Sequence, residues 1–343
     1  MAKKQLDAVD LTKFVSALFV LAIHSNPFLD LSAKLDFFIS NGVARLAVPF
    51  FFTISAYFFF LKETTKENTI KYCKRLLILY LVWFIVSLPK TIMDRIVFSE
   101  YPLKETIFRF VRSFFVTSTF SGSWFIVSCI FCAVLFYFLE KLPSKTRVVL
   151  TIIISAIVYL WCVFTSEFGV LYSKIGMSAF YNVYELVLGK PYVSFLVGVP
   201  YYALGRYFAK QENISNGKYI KSALAIPLII VLLFEIYISY TYKLSLSADC
   251  YFMLMPIVFL TMPAILSADI HIKNSKFLRA SSTIIFFSQF LVLYALEFLE
   301  YALSINILYV FKFCIALTAG LLLSLIILKL QNVKGFKWLK YFY

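Results

Sequence analysis

Long apolar stretches alternate along this chain with short, mostly basic connectors. Runs such as Val15 to Ile23, Leu76 to Val86 and Leu321 to Leu328 are apolar on every helical face. They lack the period-two alternation that a membrane barrel strand requires. A hydrocarbon core of ~30 Å is crossed by about 20 helical residues. The pattern predicts ten transmembrane helices, over 11–29, 37–61, 76–98, 122–140, 148–165, 192–209, 222–242, 249–268, 281–300 and 305–328. The expected fold is all-α: a polytopic integral membrane protein whose single membrane domain occupies 1–343. Two segments fit neither span nor plain loop. Residues 99–121 mix Lys104, Arg109 and Arg112 with Phe108, Phe110, Phe114 and Phe115, which suits an interfacial or re-entrant helix at the outer face. Residues 166–191 carry Glu167, Tyr172, Lys174, Tyr181, Asn182, Tyr184 and Glu185 and read as an external loop.

Composition sharpens this picture. Apolar residues make up 62% of the 343 and charged residues only 15%, where soluble domains hold about 45–50% and roughly 25%. The net charge of +15 does not point to nucleic acid, because the basic residues form no single stripe or aromatic-interleaved groove. With the N-terminus inside, most of the 33 Lys and Arg fall at the two ends and in the connectors 62–75, 141–147, 206–221 and 273–279. The positive-inside rule then places both termini in the cytoplasm. The apolar stretch after Met1-Ala-Lys-Lys lacks a small-residue cleavage site and reads as a retained first helix. The six cysteines lie mostly within apolar spans. Cys129 and Cys132 have CxxC spacing without a second pair or a nearby His, so neither metal nor disulfide framework is expected.

Charge at bilayer depth costs at least ~2.5–3.5 kcal/mol on insertion scales, so each instance needs a reason. The first span opens with Asp10-Leu-Thr-Lys13 and reaches His24-Ser25-Asn26-Pro27. Lys13 and His24 are about 16 Å apart along a helix axis and close to three whole turns apart, so they share a face. That face suits a passage with a cation at the cytoplasmic mouth and an imidazole deeper in. The plainer alternative is that Lys13 snorkels to headgroups and His24 caps the outer end. Arg45 lies within the second span, ahead of Pro49, whose missing N–H would release backbone carbonyls one turn later. It needs an anionic or carbonyl partner, with Asp10, Glu185 or a helix end as structural options. Lys71, Lys74 and Arg75 cluster before the third span, where they either anchor it to headgroups or grip the phosphates of a nucleotide-like donor. Ser123-Trp124 opens the fourth span at the outer interface.

These residues carry a resemblance. Asp10-x-x-Lys13-x10-His24 resembles the basic-x10-His signature of the acyltransferase-3 family of bacterial membrane O-acyltransferases. Arg45-Leu-Ala-Val-Pro49-Phe50-Phe51-Phe52-x-Ile-Ser55-Ala56-Tyr57-Phe58 is similar to that family's R-x-x-V-P-x-F-F-x-x-S-G-Y/F-F segment. Lys74 and Arg75, Trp124, Pro200 to Arg206, and Arg279 to Tyr294 are similar to later family segments. Ile23-His24-Ser25-Asn26-Pro27 and the run Val48-Pro49-Phe50-Phe51-Phe52 also resemble the membrane portion of vancomycin-resistance serine racemases, whose racemase domain is not expected here. Lys13 stands where most members have Arg, Ala56 replaces Gly, Gly122-Ser123 replaces His-Leu, and Gln289 replaces a second His.

The resemblance implies acyl transfer, usually of acetyl, from cytoplasmic acyl-CoA to a hydroxyl of an extracytoplasmic envelope glycan or lipid-linked sugar, in the bacterial cytoplasmic membrane. It implies His24 and Arg45 as catalytic groups, with Asp10 a candidate to orient the imidazole. Lys13, Lys74 and Arg75 would bind the donor's phosphates, and Asp10, Ser55 and Trp124 would face substrate. A hydroxyl needs a general base near neutral pH, which imidazole supplies. A guanidinium can stabilise the oxyanion. Two alternatives stay open: a transporter or substrate-uptake module, for example for serine, and a non-catalytic relative. No repeat symmetry or matched pair of broken helices favours transport.

Overall fold

The computed structural model describes residues 6–94, 101–211, 223–245 and 247–343. The expected ends of the third and seventh spans at 98 and 222 lie outside these residues, as do Lys3, Lys4, Arg95, Lys218 and Lys221. The described residues form fourteen α-helices. They are α1 (Asp7–Ser25), α2 (Ala33–Ser40), α3 (Ala47–Phe60), α4 (Lys66–Ile92), α5 (Leu103–Val116), α6 (Ser123–Glu140) and α7 (Ser144–Ser166). There follow α8 (Gly169–Lys174), α9 (Ser178–Leu188), α10 (Gly198–Ala209), α11 (Ala225–Tyr242), α12 (Leu254–Ser267), α13 (Ser275–Leu303) and α14 (Tyr309–Leu330). Eight segments are long and apolar enough to cross a membrane: α1, α2 with α3, α4, α6, α7, α11, α13 and α14. The shorter α12 is also apolar. The protein is an all-α, polytopic membrane protein.

Four expected elements differ. The second span is broken: α2 ends at Ser40, and a 3₁₀ turn over Val43–Leu46 precedes α3. Gly42 lies at the break, where only glycine fits, since a Cβ there would lie 2.2 Å from the Phe38 carbonyl oxygen and 2.6 Å from Ile236 Cδ1. The third span starts at Lys66, where the Thr65 side chain accepts the Asn68 N–H at 3.2 Å as an N-cap. Its polar first turns hid it from a hydropathy reading. Residues 166–191, expected as an external loop, hold α8 and α9. The sixth span shortens to α10, because Ser194 and its neighbours fold as an extended and 3₁₀ segment before Gly198.

The chain divides into two compact units, with boundaries inside α3 and α11. The first comprises Met1–Ile54, Gln211–Tyr237 and Met253–Tyr343. At its centre α1 packs along α13 and α14. Small residues let these helices close up: Ala8, Ser16 and Ala17 on α1, Ala280, Ser281 and Ser282 on α13, Ala316 and Gly320 on α14. A Cβ on Gly320 would sit 2.8 Å from Ile285 Cγ1. Lipid is as apolar as a leucine core, so close packing and buried polar bonds carry more of the association here than transfer from water. Ion pairs fix both ends. Arg279 grips Asp10 near the start of α13, and Lys312 Nζ binds Glu300 Oε2 at 2.7 Å near its finish. Lys312, a charge inside a span, is thereby paired.

The second unit, Ser55–Lys210 with Ile238–Phe252, is tied by polar knots, one half-buried and one buried. Glu140, ending α6, takes Arg147 of α7 at 2.9 Å and also Arg206 of α10. Ser128 on α6 donates to the Phe195 carbonyl at 2.8 Å and accepts the Gly198 N–H at 2.9 Å. Helix α5 is amphipathic: Leu103, Ile107, Phe108, Val111 and Phe115 are exposed along one face. Its Arg109 turns back onto Glu105 at 2.7 Å, and Arg112 reaches the Glu185 carbonyl of α9 at 3.1 Å.

Candidate active site on α1

Helix α1 carries the candidate chemistry of the first unit at its two ends. Near the start, Asp10 is 4% exposed, a depth at which a carboxylate needs a counter-charge. Arg279 supplies it as a fork: Nε donates to Oδ1 at 2.9 Å and Nη2 to Oδ2 at 2.7 Å. One turn earlier, Asp7 accepts the Ile272 N–H at 2.7 Å. Both carboxylates also sit in the first turn of α1, where the helix dipole favours them. Lys13, half-buried, follows Asp10 by one turn.

At the other end the Ser25 hydroxyl caps the Leu21 carbonyl at 2.7 Å. Asn26, in the left-handed region at φ 49°, stops the helix before Pro27. His24 occupies the last turn and is exposed. Its imidazole meets the Phe290 ring of α13 edge-on, 4.6 Å between centroids. Asp10 and His24 are about 21 Å apart along the helix. At that distance Asp10 does not orient the imidazole; its carboxylate is paired with Arg279 instead.

Arg45 does not lie within a continuous second helix but in the 3₁₀ turn between α2 and α3. The turn packs against α1 and α12. Arg45 Nη2 donates to Asn41 Oδ1 at 2.6 Å. Pro49 falls in the first turn of α3, where backbone N–H groups have no intrahelical partner in any case. It therefore starts the helix and releases no carbonyl within it, contrary to the expectation from sequence.

The remaining candidates belong to the second unit. Ser55 is half-buried on α3, and Trp124 is half-buried in the first turn of α6. Lys71, Lys74 and Arg75 are exposed on α4, inside the helix and not ahead of it. The structure thus gathers Asp10, Lys13, His24 and Arg45 in one unit and Ser55, Lys74, Arg75 and Trp124 in the other. Sequence reasoning reaches Arg279 only as the first residue of the segment Arg279 to Tyr294. Its signal was a cation near the start of a span, at the depth where Asp10 needed one. Among the described residues no group of His, Cys, Asp and Glu is arranged to hold a metal ion, and the buried Cys129 and Cys132 form no disulfide.

Helix α1 thus carries a half-buried lysine near one end and an exposed histidine at the other, within a many-helix membrane protein. The family model described as an acyltransferase domain matches residues 6–329, and the chain belongs to that family, acyltransferase-3. Two amino-acid racemases of Enterococcus faecalis are similar to it. One is 22% identical over 60% of this chain and 28% of its own length, the other 27% identical over 39% and 19%. The chain therefore spans well under half of the curated relatives it matches. No solved structure is significantly similar.

Proposed function

We propose that the protein is an O-acyltransferase that takes an acyl group, acetyl in the simplest case, from cytoplasmic acyl-CoA. The acceptor is a hydroxyl of an extracytoplasmic envelope glycan or lipid-linked sugar, and the setting is the bacterial cytoplasmic membrane with both termini inside. One observation carries the reading: α1 presents an exposed imidazole at one end and a half-buried ammonium at the other, with its start fixed by Arg279. His24 takes the acceptor's proton as the hydroxyl oxygen bonds to the thioester carbonyl carbon. Arg45 stabilises the oxyanion of the tetrahedral intermediate. The C–S bond then breaks and the thiolate leaves, to be protonated as CoA. Lys13, Lys74 and Arg75 serve the phosphates of the donor, and Ser55 and Trp124 serve the acyl group or acceptor.

The test is CoA release from acetyl-CoA by purified protein in lipid, with His24→Ala beside the wild type. Release by wild type alone supports the reading. The same rate from both proteins sinks the assignment of His24, and no release from either sinks the acyltransferase. The racemase relatives favour a second reading, in which the domain admits an amino acid such as serine. Uptake of labelled serine by proteoliposomes without acyl-CoA would favour it.

A further inference from the structure

Helix α13 holds buried polar groups that its own packing does not use. Gln289 is 0% exposed, and its Nε2 donates to the Phe286 carbonyl at 2.9 Å. Its Oε1 accepts no hydrogen bond from the described residues, and neither does the hydroxyl of the adjacent buried Ser288 find a partner. The amide orientation follows from the Phe286 bond, since turning it over would set two carbonyl oxygens against each other. A buried carbonyl without a donor is expensive, most of all in a membrane span.

Its position gives the group a use. Phe286, Gln289, Phe290 and Leu293 stand at i, i+3, i+4 and i+7, one face of α13. Phe286 packs on Phe51 of α3, Phe290 on His24, and Leu293 joins Leu21 of α1. The unused carbonyl therefore belongs to the same helix face, within one turn, as the ring that meets the candidate base.

We infer that Gln289 Oε1 accepts a hydrogen bond from the nucleophilic O–H, the acceptor hydroxyl or a water in its place, and holds it for His24. This rests on the proposed acyl transfer. A hydroxyl has one proton, so Gln289 receives the incoming O–H while the nucleophile is being placed. That proton then passes to the imidazole as the O–C bond forms. Gln289 is a nucleophile-positioning residue in this scheme, and the donor binds without it.

The experiment uses the full chain in lipid nanodiscs with acetyl-CoA, once with water alone and once with glycerol as a probe alcohol. Gln289→Met removes both polar groups at similar volume. It is expected to lower kcat for CoA release at least tenfold and to shift the acetylglycerol-to-acetate ratio, with KM for acetyl-CoA within twofold. Gln289→Glu keeps an oxygen acceptor at the same reach and restores part of the rate. Should Gln289→Met not yield folded protein, Gln289→Asn, which withdraws the carbonyl by one methylene, carries the same expectation. Rates within twofold of wild type overturn the inference and leave the enzyme standing. So does a loss confined to KM for acetyl-CoA, which would assign the group to the donor. No CoA release from wild type sinks the proposed function and the inference with it.

Discussion

Helices α6 and α13 both bury small polar side chains among apolar ones, and they treat them in opposite ways. On α6, Ser123 accepts the Thr119 N–H at 3.1 Å and meets the Ser118 hydroxyl at 2.9 Å, while Ser128 bridges Phe195 and Gly198. Each hydroxyl fastens an irregular segment to the helix and satisfies backbone groups that lipid would leave bare. On α13, Ser281, Ser288 and the Gln289 carbonyl have no partner among the described residues. The same residue types thus mark fastening in one place and reserve capacity in the other. Only the second is worth its desolvation if something arrives to use it.

The largest effect that separates these roles is expected at the imidazole. His24→Ala should lower CoA release by at least about 100-fold, the size of a lost general base, with unchanged protein in the membrane by immunoblot. Next comes Ser128→Val on α6, which leaves an N–H and a carbonyl without partners at about 1–3 kcal/mol each. It should lower the unfolding temperature of the solubilised protein while the folded fraction keeps its turnover. An unaltered melting point would remove the contrast with α13. Asp10→Asn and Arg279→Gln come third. Arg279 is half exposed, so screening reduces the pair below a fully buried one, and a double-mutant cycle should return a coupling of about 1–2 kcal/mol. Zero coupling would make the fork incidental. Ser288→Ala comes last, since no bond is lost; stability should stay within about 0.5 kcal/mol of wild type, and a large loss would show that Ser288 fastens after all.

The apolar runs announced most of the spans, because hydropathy summed over about 20 residues survives errors at single positions. The break at Gly42 was invisible to that sum. Residues 37–60 read as one span, while the crowding that leaves room only for glycine at position 42 comes partly from Ile236, a side chain far along the chain. Helices α8 and α9 escaped for the opposite reason: their polar residues resemble a loop, while Trp161 packs edge-on against Phe180 and Tyr184 of α9. Of the candidate site, Lys13 and His24 could be read because a single helix sets their relation by spacing alone. The partner of Asp10 could not, since Arg279 lies 269 residues away and only packing of α1 on α13 brings it near. Gln289 stood out in sequence as a departure from a family pattern, but its unused carbonyl needed three dimensions.

Gly42 also bears on the order in which the protein is built. The segment Ala33–Phe60 is apolar enough over 28 residues to enter the membrane as one piece. The turn that breaks it packs against α1, available at once, and against α12, with Ile236 of α11 closing on the glycine. Helices α11 and α12 leave the ribosome long after this segment has entered the bilayer. Arg45 therefore reaches its final place late, when the C-terminal helices dock. A chain interrupted before α11 would hold its histidine early and its arginine never in register, so nascent fragments of this protein should be silent.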